Sequence, residues 1–154
     1  MIIDKIRTCA FTGHRNLKPD FNYTELKKII KRLINGGFTT FLVGMAVGFD
    51  TECFKILKEL RTENPVKIVA CIPCKQQSAK FSPAQKKEYE EMLSLADFKI
   101  YVSEEYTKTC MFKRNMFMVD NCSVLVAYLN QQSGGTFQTV NYAKRKNVQV
   151  ILLN

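Results

Sequence analysis

At 154 residues and 46% hydrophobic content, the chain is the size of one domain and can bury roughly two thirds of its unfolded surface without disulfide or metal staples. Charges at Asp4, Lys5 and Arg7 interrupt the apolar start and no apolar run approaches the ~20 residues that cross a bilayer, so the expectation is a cytoplasmic protein without signal segment or membrane span, its six cysteines free in a reducing compartment. The net charge of +9 raises nucleic acid as a partner, but Lys27, Lys28, Lys31 and Arg32 share the polar side of one helical pattern and Lys144, Arg145 and Lys146 sit near the end of another, so solvated faces are the favoured reading.

Short apolar strands alternate with amphipathic helices along the chain. The pattern predicts an α/β fold, a Rossmann-like three-layer sandwich with a mainly parallel sheet and helices on both faces, spanning residues 1–154 as one domain. The first strand runs from Ile6 to Thr12. The first helix, Tyr23 to Asn35, carries Leu26, Ile29, Ile30, Leu33 and Ile34 on one face and stops at Gly36-Gly37. Thr39 to Val43 is the second strand and Phe49 to Arg61 the second helix, with Cys53, Phe54, Leu57 and Leu60 as its inward stripe. A third strand, Val66 to Ile72, leads into an irregular polar stretch, Pro73 to Phe81. Ser82, Pro83 and Gln85 then supply cap, first-turn proline and capping-box glutamine for a helix reaching Leu95. Phe98 to Val102 is a fourth strand. Thr109 to Asn121 is a helix apolar nearly all round, a pattern that suits a helix packed in the core with its methionines as filler. Strand Val124 to Tyr128, a helix opened by Gly134-Gly135, and strand Val148 to Leu153 complete the chain.

Parallel strands joined by helical crossovers put every strand-to-helix loop on one edge of the sheet, where open α/β folds bind ligands. Three segments with unusual residues follow strands: Gly13-His14-Arg15, Gly44-Met45-Ala46-Val47-Gly48-Phe49-Asp50, and Gly134-Gly135-Thr136. Gly44 and Gly48 bracket a turn into a helix, where backbone amides accept anions. The spacing matches neither G-x-G-x-x-G nor the P-loop, and a tight turn using glycine for its dihedrals alone is an equal reading. Asp50 either favours the helix dipole or accepts from a ligand hydroxyl. Arg15 is suited to clamp a phosphate. His14, the only histidine, is either bonded to backbone or a ligand contact, and no oriented carboxylate marks it as a general base. Gly134-Gly135 offer free helix-start amides, with Thr136 as hydroxyl donor or cap.

Arg114 and Asn115 break the apolar pattern of the fourth helix near its start, and a buried arginine there needs an anion, either Asp120 or a ligand phosphate. Cys71-Ile72-Pro73-Cys74 is a lone C-x-x-C with no second ligand pair, so no metal site is expected and two unpaired thiols are preferred to a redox pair.

Taken together, Thr12-Gly13-His14-Arg15, the Gly44 to Asp50 loop, Val102-Ser103 through Tyr106 to Arg114-Asn115 and Met118-Val119-Asp120, and Gly134-Gly135-Thr136 with Tyr142-Ala143 resemble the YpsA-like branch of the SLOG superfamily, whose Rossmannoid domains are related to DNA-processing protein A and to the LOG phosphoribohydrolases. The resemblance implies a pocket for nucleotides or derivatives such as ADP-ribose, NAD or AMP-like molecules, often in homo-oligomers. Carried over by position, Gly13, Arg15, Gly44, Gly48, Asp50, Arg114, Asn115, Gly134, Gly135 and Thr136 become its lining, with His14, Met45 and Ala46 beside them. Relatives commonly show a second glycine where this chain has Met45. The LOG signature P-G-G-x-G-T-x-x-E is also incomplete, because Ser133 precedes the glycines and no glutamate follows at the matching offset. The leading expectation is therefore a sensor or regulator that binds a small-molecule nucleotide. A hydrolase cutting an N-glycosidic or phosphoanhydride bond with Asp50 or His14 assisting water, and a single-stranded DNA-binding module, are the alternatives.

Overall fold

A computed structural model describes residues 2–153. Strands Thr8–Gly13 (β1), Thr40–Val43 (β2), Lys67–Ile72 (β3), Phe98–Tyr101 (β4), Val124–Tyr128 (β5) and Gln149–Leu152 (β6) alternate with helices Tyr23–Asn35 (α1), Phe49–Leu60 (α2), Pro83–Leu95 (α3), Cys110–Asp120 (α4) and Gly134–Arg145 (α5). The sheet order is β4-β3-β2-β1-β5-β6, and every neighbouring pair is parallel. This is the expected Rossmann-like α/β architecture, parallel throughout. The alternation of side chains along each strand divides the core in two. Cys9, Phe11, Phe41, Val43, Ile68, Ala70, Ile72, Val124 and Val126 point to the face covered by α1, α2 and α3. Ala10, Leu42, Val69, Cys71, Leu125 and Ala127 point to the face covered by α4 and α5.

Local signals act as their chemistry requires. Leu26, Ile29, Ile30 and Leu33 of α1 are buried, each contributing about 1.5–3 kcal/mol. Ser82 and Gln85 form both bonds of a capping box at α3. On α1, Lys27 and Arg32 pair with Glu59 and Glu25 on the surface, as a solvated face should.

Two elements depart from the expected ones. The stretch at Ile6 opens as a 3-10 turn, Lys5–Arg7, in which the Arg7 amide donates to the Asp4 carbonyl, leaving Ile6 78% exposed. Helix α4 is not enclosed on all sides: only Cys110, Arg114, Met118 and Val119 are buried, while Phe112 is exposed and Met116 and Phe117 are half-buried. It lies on an outer layer, so one stripe meets the sheet and the remainder faces outward. Among the described residues no helix is long and apolar enough to cross a membrane.

The chain leaves β1 toward α1 on one face and leaves β5 toward α5 on the other. Because β1 and β5 are adjacent, these diverging exits open a crevice at the carboxyl ends of the strands, the switch point of an open α/β sheet. The exits are held together by a close backbone crossing. Gly48 has φ +86, and a Cβ on it would strike the Arg15 backbone carbonyl, while the Phe49 amide donates to the His14 carbonyl at 3.2 Å. Gly37 has a similar φ of +100 with open space around it. Both Gly→Ala changes should therefore incur the left-handed cost of about 1–2 kcal/mol, and Gly48→Ala should lose clearly more stability in urea unfolding because backbone must also move. Equal losses would show that the crossing imposes no steric demand.

Candidate functional site

The crevice is a cleft of about 240 Å³ lined by Gly13, His14, Arg15, Ala46, Asp50, Met111, Arg114, Asn115, Gly135 and Thr136, with Phe11, Thr12 and Met118 behind them. Four stretches of chain, separated in sequence, thus share one wall. Gly44, Met45, Gly48 and Gly134, also expected in the lining, stand outside it, and the first three support it from behind.

Met45 shows why. Its backbone takes φ 64, the left-handed region, which costs a side chain about 1–2 kcal/mol. Its side chain turns away from the cleft and is only 1% exposed, in the cluster under α1 to α3, so burial offsets the strain. Gly44 supplies an acceptor instead of an amide. Its carbonyl accepts from Arg114 Nη1 and from Gln77 Nε2 at 2.9 Å. A Cβ at Gly44 would lie 2.9 Å from Arg114 Nη1 and 3.0 Å from Asp50 Oδ2, so only glycine lets those two side chains flank the backbone.

Arg114 is 5% exposed. Beyond Gly44 it donates to the Cys71 carbonyl at 3.3 Å and through Nε to Asn115 Oδ1 at 2.8 Å. Burial lowers its pKa, and Asp50 is the first charge opposing that shift. Asp120 is not its partner, since it accepts from the Tyr142 hydroxyl; the carboxylate that the fold brings toward Arg114 is Asp50, across Gly44, without a direct ion pair among the described residues.

Asp50 is 6% exposed. Its Oδ2 accepts from the Ala46 amide at 3.1 Å, whereas its buried Oδ1 has no hydrogen-bond partner among the described residues. Burial raises its pKa to about 6, with Arg114, the Ala46 amide and Arg15 pulling the other way. An unsatisfied buried carboxylate oxygen is costly, and the residue that carries it lines the cleft.

His14 Nε2 accepts from the Asn130 amide at 3.0 Å, and its ring lies edge-on to Tyr128. Burial and the nearby Lys18 lower its pKa, which suits a neutral acceptor. It ties the β1 exit to the β5 exit through that backbone bond, and it also lines the cleft. Arg15 is exposed and forms no ion pair among the described residues. At the opposite lip, Ser133 begins α5 without a side-chain cap bond, so the amides of Gly134, Gly135 and Thr136 lack intrahelical partners. Thr136 is a buried wall residue and not the cap. By contrast, the amides around Gly48 are partly spent, on His14 and on Asp50.

The six cysteines are free and buried. Cys71 sits in the core beside α4, whereas Cys74 lines a neighbouring cavity together with Cys110. Among the described residues no cluster of metal-binding groups occurs. Sequence reading missed Gln77, 8% exposed, which donates to Gly44 and accepts from the Tyr89 hydroxyl at 2.9 Å. It lies in an irregular stretch without periodicity, and its burial has no sequence signal.

With the site in view, comparison with known proteins fixes the family. The model of the YspA SLOG family matches residues 11–152. The chain belongs to that family. A relative, the uncharacterized SPbeta prophage-derived protein YoqJ of Bacillus subtilis, is 31% identical over 118 residues, covering 68% of this chain and 69% of the relative. The fold is shared with DNA processing protein A of Streptococcus pneumoniae, TM-score 0.69 at 18% identity, over 96% of this chain and 50% of that one. It is shared also with the Helicobacter pylori protein, TM-score 0.68 at 14% identity over 94% of this chain and 64% of that one, a structure described for its single-stranded DNA binding mode. This YspA SLOG chain therefore spans half the length of the Streptococcus protein.

The carboxyl group of Asp50 links the site to stability. Its pKa in the folded chain, about 6, lies above the ordinary 3.8, so the folded state binds protons more tightly than the unfolded one. Stability is therefore highest below about pH 4 as far as this group is concerned and declines as pH rises toward 6, by about 3 kcal/mol at most. Asp50→Asn removes that dependence. Urea unfolding of both proteins from pH 4 to pH 7.5 should show the variant gaining on the wild type with rising pH, and a constant difference would show that Asp50 titrates normally.

Proposed function

We propose that the cleft binds a nucleotide or nucleotide derivative of the ADP-ribose, NAD or nucleoside-phosphate type, and that the chain acts as a sensor or regulator. The observation that carries this reading is the pairing of opposite demands in one wall. Arg15 and the amides at the start of α5 call for a negative group, while Asp50 Oδ1, buried without a partner, calls for a hydrogen-bond donor. A phosphorylated sugar has both, a phosphate and free hydroxyls. Asn115 and Thr136 add side-chain amide and hydroxyl groups between the two ends.

Hydrolysis is the weaker reading. Asp50 with a pKa of about 6 is poised to take a proton, but bond cleavage at a glycosidic or phosphoanhydride centre also needs a second group, and His14 Nε2 is engaged by Asn130. Chromatography of a nucleotide panel incubated with the protein should show no turnover, and product formation that disappears in Asp50→Ala would reverse the ranking. Single-stranded DNA binding draws on the net charge of +9 and on the Helicobacter pylori neighbour, and it would be recognised by affinity that falls steeply with salt.

Ligand that binds only the folded state adds ~2.7 kcal/mol at a hundredfold its dissociation constant. AMP, ADP-ribose or NAD should accordingly raise the melting temperature. Arg15→Ala should abolish the rise without moving the melting point of the free protein, because Arg15 is exposed and unpaired. If none of the three stabilises the wild type at millimolar concentration, the reading is wrong.

A further inference from the structure

The cleft is small for a whole nucleotide: ligand sites commonly run to about 300–1,000 Å³, against about 240 Å³ here. Immediately beside it lies a second, larger cavity of about 610 Å³, and Arg15 and Met111 line both. A molecule anchored by phosphate and sugar in the first space therefore has somewhere to extend, past Arg15 and over the Met111 side chain.

The second cavity differs in chemistry. The irregular stretch between β3 and α3 contributes Gln76 and Phe81, α3 contributes Gln85, and the loop before α4 contributes Tyr106. Phe81 is held edge-on against the buried Tyr89, with ring centres 5.6 Å apart. Tyr106 is 66% exposed, yet its backbone is fixed, since its amide donates to Gln76 Oε1 at 3.1 Å. A large ring left in solvent on an anchored backbone is a stacking surface without a partner. The two glutamines have committed their oxygens, Gln76 to Tyr106 and Gln85 to the Ser82 amide at 3.0 Å. Their remaining capacity is therefore in their NH2 groups, which match ring nitrogens or carbonyls on the edge of a planar heterocycle.

Building on the nucleotide reading of the cleft, the geometry points to this cavity as the site for the base. The ligand class it selects is a nucleoside 5′-phosphate or an adenylate-type derivative with an unobstructed base, in preference to a sugar phosphate. The base stacks on Tyr106 while phosphate and ribose occupy the Arg15 and Asp50 cleft.

Calorimetric titration with AMP and with ribose 5-phosphate tests this directly. Wild type should bind AMP more tightly than ribose 5-phosphate. Tyr106→Ala should weaken AMP by at least about fivefold, the lower end for losing one base–aromatic stack, and leave ribose 5-phosphate unchanged. Tyr106→Phe should restore AMP binding. Unchanged AMP affinity in Tyr106→Ala, or equal weakening of both ligands, overturns the assignment while leaving the cleft as the phosphate site. Failure of both ligands to bind wild type removes the nucleotide reading, and this one with it.

Discussion

A buried guanidinium must be surrounded by acceptors, and the way Arg114 meets that requirement organises the whole carboxyl edge of the sheet. It reaches from α4 across the sheet ends to the Gly44 carbonyl after β2 and to the Cys71 carbonyl on β3, while Asp50 from the first turn of α2 faces it over Gly44. Three elements are thereby fixed relative to one another through a single side chain. Because an isolated buried charge is far costlier than a paired one, Gly44, Asp50 and Arg114 act as one unit. Among the described residues the two charges form no direct ion pair, and Asp50 retains a buried oxygen with no donor. The same arrangement that stabilises the sheet edge therefore leaves a buried acceptor unmet on a residue that lines the cleft.

The loops around this unit divide their labour. The turn from β2 to α2 supports the site from within: Met45 turns its side chain into the core, Gly48 lets the Arg15 backbone cross, and Gln77 braces Gly44. Anion-seeking groups are supplied from elsewhere, by Arg15 beyond β1 and by the uncapped start of α5. His14 joins those two lips through the Asn130 amide. The glycines of the β2–α2 loop thus brace the cleft while Ala46 and Asp50 of the same loop line it, together with α4 and the exits from β1 and β5.

Much of this was legible in the chain. Short apolar runs and period-3.6 patterns identify the strands and helices, and parallel topology alone brings the Gly13, Asp50 and Gly135 segments to one edge. What the sequence leaves open are features set by tertiary contact. Ile6 reads as strand because it is apolar, but β1 has no partner register left for it, with Thr8 pairing Thr40 at the strand start. Helix α4 reads as enclosed because composition does not say how many sides a neighbour covers. Asp120 stood near enough in sequence to be read as a partner of Arg114, whereas Asp50, the carboxylate that faces it, is reached only through the fold. Cys71 and Cys74 are close in sequence, yet Cys71 lies in the core beside α4 and Cys74 lines a cavity with Cys110.

The central claim is that a negatively charged guest docks between Arg15 and the first turn of α5, with its donor groups toward Asp50. Titration of isotope-labelled protein with AMP, followed through backbone amide resonances, addresses it most directly. The account requires the largest shifts at Gly134, Gly135 and Thr136 and in the Gly13 to Arg15 segment, with Asp50 among the responding residues. Shifts confined to the lysine-bearing faces of α1 and the end of α5, with those amides silent, would contradict it.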